Sequence, residues 1–433
     1  MRIASRRRLL APCLILFVVA APALAAVAPN SWPQWRGPDG NGVSKETGLP
    51  TEWGAGKNVA WTLDLPGRAG ATPVVWGDRM FLTAEDLDNK QILLMCVSTG
   101  GKELWRKKLG SNTGRGRFMG NEGENASPSA STDGKHVWAF AGTGDLACFD
   151  VDGKEVWTFN VQDRYGKYGA QHGLHNTPLL DGDRLYLQYF IRQTAYVIAL
   201  DKNSGKEIWK VERKSDGTSE NLDSYASPVM WRNGKDEYLI THGNDYAIAH
   251  RLDDGSEIWR VGGLNPKDAY RRDLRFVSSP VATPDLIVIP SAKDHGIVGL
   301  KPDAKGLIMP GNGAELWRLT KGTPDVPSPL VYDGLVYLCR DGSLLCLEAK
   351  TGKKVYEERI HASKYRASPV GADGFVYLTA HDATVTVIKA GPKFEKVAEN
   401  KLSDEMTASP AISNGRIYLR GWKTLYAIGA PAK

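Results

Sequence analysis

Short runs of alternating apolar and polar residues recur along the chain between glycine-bearing turns, and the whole arrangement repeats. Arg184-Leu185-Tyr186-Leu187 and Leu335-Val336-Tyr337-Leu338 alternate with period two, as half-buried strands do. A Ser/Thr-Pro dipeptide precedes such runs eight times: Thr72-Pro73, Ser127-Pro128, Thr177-Pro178, Ser227-Pro228, Ser279-Pro280, Ser328-Pro329, Ser368-Pro369 and Ser409-Pro410. The prolines stand 55, 50, 50, 52, 49, 40 and 41 residues apart, a period that indicates a solenoid or a propeller. After the proline come a few apolar residues and, in seven units, a tight-turn pair. These pairs are Gly77-Asp78, Asp133-Gly134, Gly182-Asp183, Asn233-Gly234, Asp333-Gly334, Asp373-Gly374 and Asn414-Gly415. Such residues accept the positive φ that hairpin turns require. A second strand follows, then a third such as Tyr196-Val197-Ile198-Ala199-Leu200, and a Gly-Lys turn leads into a fourth. The pattern predicts four antiparallel strands per unit and no helical periodicity.

The fourth strand carries an aromatic: Trp105, Trp157, Trp209, Trp259, Trp317 and Tyr356 in units one to six, with weak or absent aromatics in units seven and eight. A large ring repeated once per unit predicts a wedge between neighbouring units, its N–H needing one acceptor. The eighth unit ends at Lys433 without a fourth strand, while Asn58-Val59-Ala60-Trp61-Thr62-Leu63 has that strand's pattern ahead of the first Thr-Pro. The expectation is an all-β, eight-bladed propeller of four-stranded antiparallel blades, closed by this N-terminal strand. Closure removes the sheet edges that an open ring would expose.

The first residues read as an export address. Arg2, Arg6, Arg7 and Arg8 precede an apolar run over residues 9–21, and Ala23-Leu24-Ala25 is a small-x-small cleavage signal. Cleavage is expected near Ala25-Ala26, giving residues 1–25 as signal peptide, 26–56 as a Trp-rich lead, 57–429 as propeller and 430–433 as a tail. Ser5-Arg6-Arg7-Arg8-Leu9-Leu10 also resembles a twin-arginine signal, so Sec and twin-arginine export both remain open. Cys13 opens the apolar run and leaves most of it behind, so lipidation is not expected there. Removing residues 1–25 takes four of the 55 basic residues and none of the 49 acidic ones, leaving a nearly neutral chain. That balance argues against a nucleic-acid partner. No later stretch reads as a membrane span. The expected location is periplasmic or extracellular.

Cys96, Cys148 and Cys346 fall in third strands where other units place Ala199 and Ala427, so they read as small buried residues. Cys339 is only a diagonal neighbour of Cys346 across a hairpin, a long reach for a disulfide. Four thiols are expected.

Ala199-x-Asp201-x-x-x-Gly205-Lys206-x-x-Trp209, with its diverged copy Cys346-x-Glu348-x-x-x-Gly352-Lys353-x-x-Tyr356, resembles the tryptophan-docking motif of quinoprotein propellers. The lead, Trp32-Pro33-Gln34-Trp35-Arg36-Gly37-Pro38, and the segment Ala390-Gly391-Pro392-Lys393-Phe394 resemble bacterial PQQ-like propeller proteins. The architecture is also similar to the BamB-like propeller family. The resemblance implies a rigid ring and, in the dehydrogenase branch, PQQ held with Ca²⁺ by carboxylates and an Asn. This chain has neither adjacent cysteines nor a Cys-x-x-Cys-His haem motif, and those ligands are not assignable by motif. No cofactor is therefore expected, with PQQ as the alternative.

Segments leading into the innermost strands gather at one end of a propeller, where loops on a rigid scaffold carry binding residues. The candidates are Asn121, Glu122, Glu124 and Asn125; His172 and His175; Asp223 and Tyr225; Arg272 and Arg275, beside Arg271; and Tyr365 and Arg366. His172-x-x-His175 lies in a loop, where a third metal ligand would have to come from another blade, so it reads as a polar pair. Glu122 and Glu124 alternate in one loop, which suits independent solvation better than paired acid–base work. No nucleophile elbow, His-Glu-x-x-His or phosphate loop is present, and Asp39-Gly40-Asn41-Gly42 reads as a turn. The expected function is a non-catalytic binding or scaffold propeller of the cell envelope, taking an envelope protein, a peptide or a small polar ligand. The alternative is a PQQ-dependent oxidoreductase acting on alcohols or sugars.

Overall fold

The computed structural model describes residues 30–54, 56–112, 125–169, 173–192 and 194–430. Eight antiparallel sheets of the same plan follow one another along the chain. In the first blade the strands are Val74–Trp76, Arg79–Asp86, Gln91–Ser98 and Glu103–Ser111, from the axis outward. In the eighth they are Ala411–Ser413, Arg416–Arg420 and Thr424–Ile428, and the outer place is taken by Val59–Asp64. That N-terminal strand pairs antiparallel with the last one, Thr62 opposite Tyr426 and Leu63 opposite Leu425. Eight blades and closure by the N-terminal strand are thus as the repeat predicts.

The same register brings Trp61 opposite Ala427, as Trp105 stands opposite Cys96 and Trp209 opposite Ala199. Blade eight therefore does carry the fourth-strand aromatic, contrary to the sequence expectation, because it arrives from the other end of the chain. Five of the six fourth-strand indoles donate to the next blade; the exception is Trp259 in blade four, whose buried Nε1 has no hydrogen-bond partner among the described residues. Trp61 donates to the Thr99 carbonyl, Trp105 to Val151, Trp157 to Lys202, Trp209 to Leu252 and Trp317 to Ala349, all at 2.8–3.0 Å. The glycine of the neighbour's turn makes room: a Cβ on Gly205 would lie 2.9 Å from the Trp157 ring.

A second inter-blade belt runs through the hydroxyls near the axis. Thr72 N–H donates to Ser129 Oγ, and the Ser129 N–H to Thr177 Oγ1. The relay continues through Ser227, Ser279, Ser328, Ser368 and Ser409 at 2.9–3.0 Å. In the second blade this position is Ser129-Ala130, not Ser127-Pro128. Val74 pairs with Phe81 as Ser131 pairs with Trp138, which places Ala130 where Pro73 stands. The belt repeats a hydroxyl acceptor, and the proline is dispensable.

Blade four departs from four strands. The long connection after the fifth blade's third strand lays Gly306–Ile308 parallel along Glu257–Val261, making a five-stranded sheet. Among the described residues one short α-helix, Val161–Tyr165, follows blade two, its N-terminus capped by the Asn160 side chain. Cys96, Cys148, Cys339 and Cys346 are buried thiols, and burial pushes Cys96 and Cys148 up to about 12.

The N-terminal lead crosses the end of the ring where the first and second strands of each blade turn. Trp32 exchanges backbone hydrogen bonds with Val75, and the Pro33 carbonyl accepts from Thr132 N–H. Gly42 and Ser44 bracket Gly371 in blade seven. Glu46 accepts from the backbone N–H groups of Asn414 and Gly415 in the blade-eight turn. Arg36 is buried, and its guanidinium donates to the carbonyls of Pro329 and Pro369, both at 2.8 Å.

Candidate functional site

The loops entering the innermost strands and the hairpins joining second to third strands meet at the opposite end from the lead. Antiparallel alternation requires this, since each strand reverses the last. The loops before blades four and five run side by side there. Tyr225 N–H donates to the Phe276 carbonyl and Glu220 N–H to the Arg272 carbonyl. Gln188 ties them to blade three, donating to the carbonyls of Ala226 and His242 while accepting from His242 N–H.

Several charged candidates are engaged by charged residues that the sequence did not single out. Asp223 is fully buried and takes a two-pronged contact from Arg192, Nε to Oδ1 at 2.9 Å and Nη2 to Oδ2 at 2.8 Å. Such fork-to-carboxylate pairs combine charge with fixed geometry. Arg275 sits 3.5 Å from Glu220, and Arg271 grips Asp273 with two hydrogen bonds. Lys293 completes that group on the Asp273 carbonyl at 2.6 Å. Arg272 is exposed. His175 lies against Tyr225, ring centroids 5.9 Å apart.

Other candidates serve the scaffold. Asn125 is buried, its backbone N–H donating to Glu85 at 2.8 Å and its amide to Asn112. Tyr365 lies in the core between blades six and seven, its N–H on Asp341. Arg366 lies 3.6 Å from the same Asp341. Asn121, Glu122, Glu124 and His172 fall outside the described residues.

Two members of this face were not singled out from sequence. Arg192 sits at the blade-three hairpin tip, and Asp245 at that of blade four. Asp245 accepts from Tyr270 Oη at 2.6 Å and from the Asn265 and Asn221 amides. Burial raises its carboxyl, and the Tyr270 and Asn265 hydrogen bonds work against that rise. Their one signal in the sequence was position: hairpin tips share an end with the loops before the Ser/Thr-Pro repeats. Asp223, Asp245 and Asp273 each accept hydrogen bonds from protein donors. Among the described residues no three His, Cys, Asp or Glu side chains converge for a metal.

A family model described as outer membrane protein assembly factor BamB matches residues 89–286 and 305–391. The chain belongs to that family. A 133-residue stretch is 32% identical to the serine/threonine-protein kinase AfsK of Streptomyces griseus, covering 28% of this chain and 16% of that protein. An alignment of 133 residues is 28% identical to the quinoprotein ethanol dehydrogenase of Pseudomonas aeruginosa, covering 27% of this chain and 20% of that protein. The chain thus matches a fifth or less of these relatives' length.

Among solved structures, the quinohemoprotein alcohol dehydrogenase of Comamonas testosteroni superposes with a TM-score of 0.71 at 16% identity, over 95% of this chain and 82% of that one. BamB of Moraxella catarrhalis does so with 0.61 at 15% identity, over 86% and 99%. At such identities the likeness is one of fold. No helix among the described residues is long and apolar enough to cross a membrane.

Proposed function

We propose that this chain is an exported cell-envelope propeller that binds a protein or peptide partner and performs no catalytic step. Residues 1–25 would direct export and be cleaved near Ala25-Ala26, leaving the lead, the propeller over 57–429 and a short tail. The observation that supports binding most is the mutual engagement of the loop-end charges. Asp223 with Arg192, Asp273 with Arg271 and Glu220 with Arg275 form a polar surface already ordered before any partner arrives. Preordered groups lose little entropy on association. BamB-family membership supports the same class of role, although fold by itself does not assign function.

The test is capture from an envelope extract with the mature chain, followed by the Arg272→Glu variant. Arg272 is exposed, so reversing its charge leaves the core intact. A partner is expected to be recovered by the unaltered chain and lost or weakened with the variant; recovery of none opposes the proposal.

The second reading, a PQQ-dependent oxidoreductase acting on alcohols or sugars, is favoured by the stretch similar to a quinoprotein ethanol dehydrogenase. Thermal stabilisation by PQQ with Ca²⁺, together with dye reduction on adding an alcohol, would support it. Absence of both would end it.

A further inference from the structure

The lead shows how this ring holds an extended chain. It docks on one register position, the second residue after the Ser/Thr-Pro proline: Val75 in blade one, Gly371 in blade seven and, counted from Ala130, Thr132 in blade two. At that position the residue stands opposite a second-strand partner without exchanging hydrogen bonds with it, so its N–H and C=O point to the axis. Leu180, Met230 and Ala282 occupy the same register in blades three, four and five.

These three residues line a cavity of about 910 Å³ that lies between the lead and the inner strands. The carbonyl-bearing prolines Pro178, Pro228 and Pro280 line it as well. Among the described residues no donor reaches those three carbonyls. Their counterparts in blades six and seven, Pro329 and Pro369, are the pair that Arg36 bridges with one guanidinium. The blades repeat, so neighbouring prolines in blades three to five offer a similar span.

The cavity's charges complement a cation. Lys202 is committed to Asp133 at 3.0 Å, Arg232 to Asp181 at 2.8 Å, and Arg184 to the Leu252 carbonyl. The wall carboxylates Asp39, Asp183 and Asp253 each have one basic neighbour, Lys45 at 3.6 Å, Lys202 at 3.8 Å and Arg251 at 3.2 Å, yet keep 53%, 74% and 66% of their side-chain surface exposed, and the walls hold six acidic side chains against four basic ones.

We infer that this cavity binds an extended, arginine-bearing peptide. Its backbone pairs with Leu180, Met230 and Ala282, and its guanidinium bridges proline carbonyls of neighbouring blades as Arg36 does. The inference rests on the reading that the propeller binds protein or peptide, and it adds the chemistry and place of a second contact, at the opposite end from the loop surface. Strand addition supplies affinity through main-chain hydrogen bonds, and side-chain pockets supply selectivity.

The experiment is fluorescence anisotropy of the mature chain with a labelled Gly-Val-Arg-Val-Gly peptide. Saturable binding is expected, at least tenfold weaker when the peptide arginine is replaced by glutamine or when the valine amides are N-methylated. These changes leave the protein untouched, so folding does not confuse them. Ala282→Pro removes one axis-facing N–H at a position where an edge strand tolerates proline, and with a normal circular dichroism spectrum it should weaken binding similarly. Three results would overturn the inference: no binding, equal binding of all three peptides, or equal binding of N-acetyl-arginine amide. Peptide failure alongside successful partner capture sinks the cavity and leaves the proposed function standing. Peptide binding without any envelope partner does the reverse.

Discussion

The Trp61 indole donates to the Thr99 carbonyl at 2.9 Å, so the outer strand of the last blade is fastened to the first. Trp61 also packs on Tyr418, ring centroids 6.1 Å apart. Removing residues 58–63 takes away a whole strand and this fastening together. We expect the deletion to abolish cooperative unfolding in urea, and Trp61→Ala to lower the midpoint while preserving a single transition. A deletion variant that unfolds like the parent would refute closure by this strand.

Ser129 accepts from the Thr72 N–H inside the ring, where that donor has no water to turn to. Ser129→Ala should cost about 1–3 kcal/mol, the penalty for stranding a buried donor. Ser129→Thr should restore most of it, since Thr177 already serves the belt in blade three. Denaturant melts of the two variants check this.

Gly205 has φ +66°, and its missing side chain leaves space for the Trp157 ring. Gly205→Ala should destabilise the fold by about 1–2 kcal/mol from the left-handed backbone alone, and further by displacing the ring. A loss of the Trp157 to Lys202 hydrogen bond would show as a changed indole proton resonance.

Burial pulls His242 down to about 3, helped by Arg213, and His250 down to about 4. Both rings are neutral in the fold at pH 7. In the unfolded chain they protonate near the ordinary histidine value. Stability should therefore be full above about pH 6.5 and fall as pH drops toward 4, by about 1.4 kcal/mol per pH unit for each histidine. His242 stacks on Phe276 at 4.6 Å, so His242→Phe keeps the packing and should remove one proton from the slope. Melting temperature against pH for the two proteins is the measurement.

Much of the architecture was written in the repeat. The Ser/Thr-Pro spacing gave the number of blades, and the pattern of residues 58–63 gave the closing strand. The misplacement in blade two arose because Ser127-Pro128 looks like the motif while the belt requires only the hydroxyl of Ser129. Trp61 went unassigned because its blade-mates, Ala411 to Ile428, lie at the other end of the chain. The loop face was harder. Loops before the repeats could be placed at one end, but which side chains turn outward depends on packing. Tyr365 turned into the core, and Asp223 found a partner, Arg192, 31 residues earlier on another hairpin.

Seven wedges of the ring follow one plan on their outer edge, and the fourth does not. Its border is covered by Gly306–Ile308, which presents Leu307 to solvent where other blades present Leu104, Val156, Ile208 and Leu316 of their own outer strands. A near-symmetric wheel has no compass bearing of its own. That added ribbon gives this one a fixed landmark on its circumference, from which anything approaching sideways could tell one sector from the next.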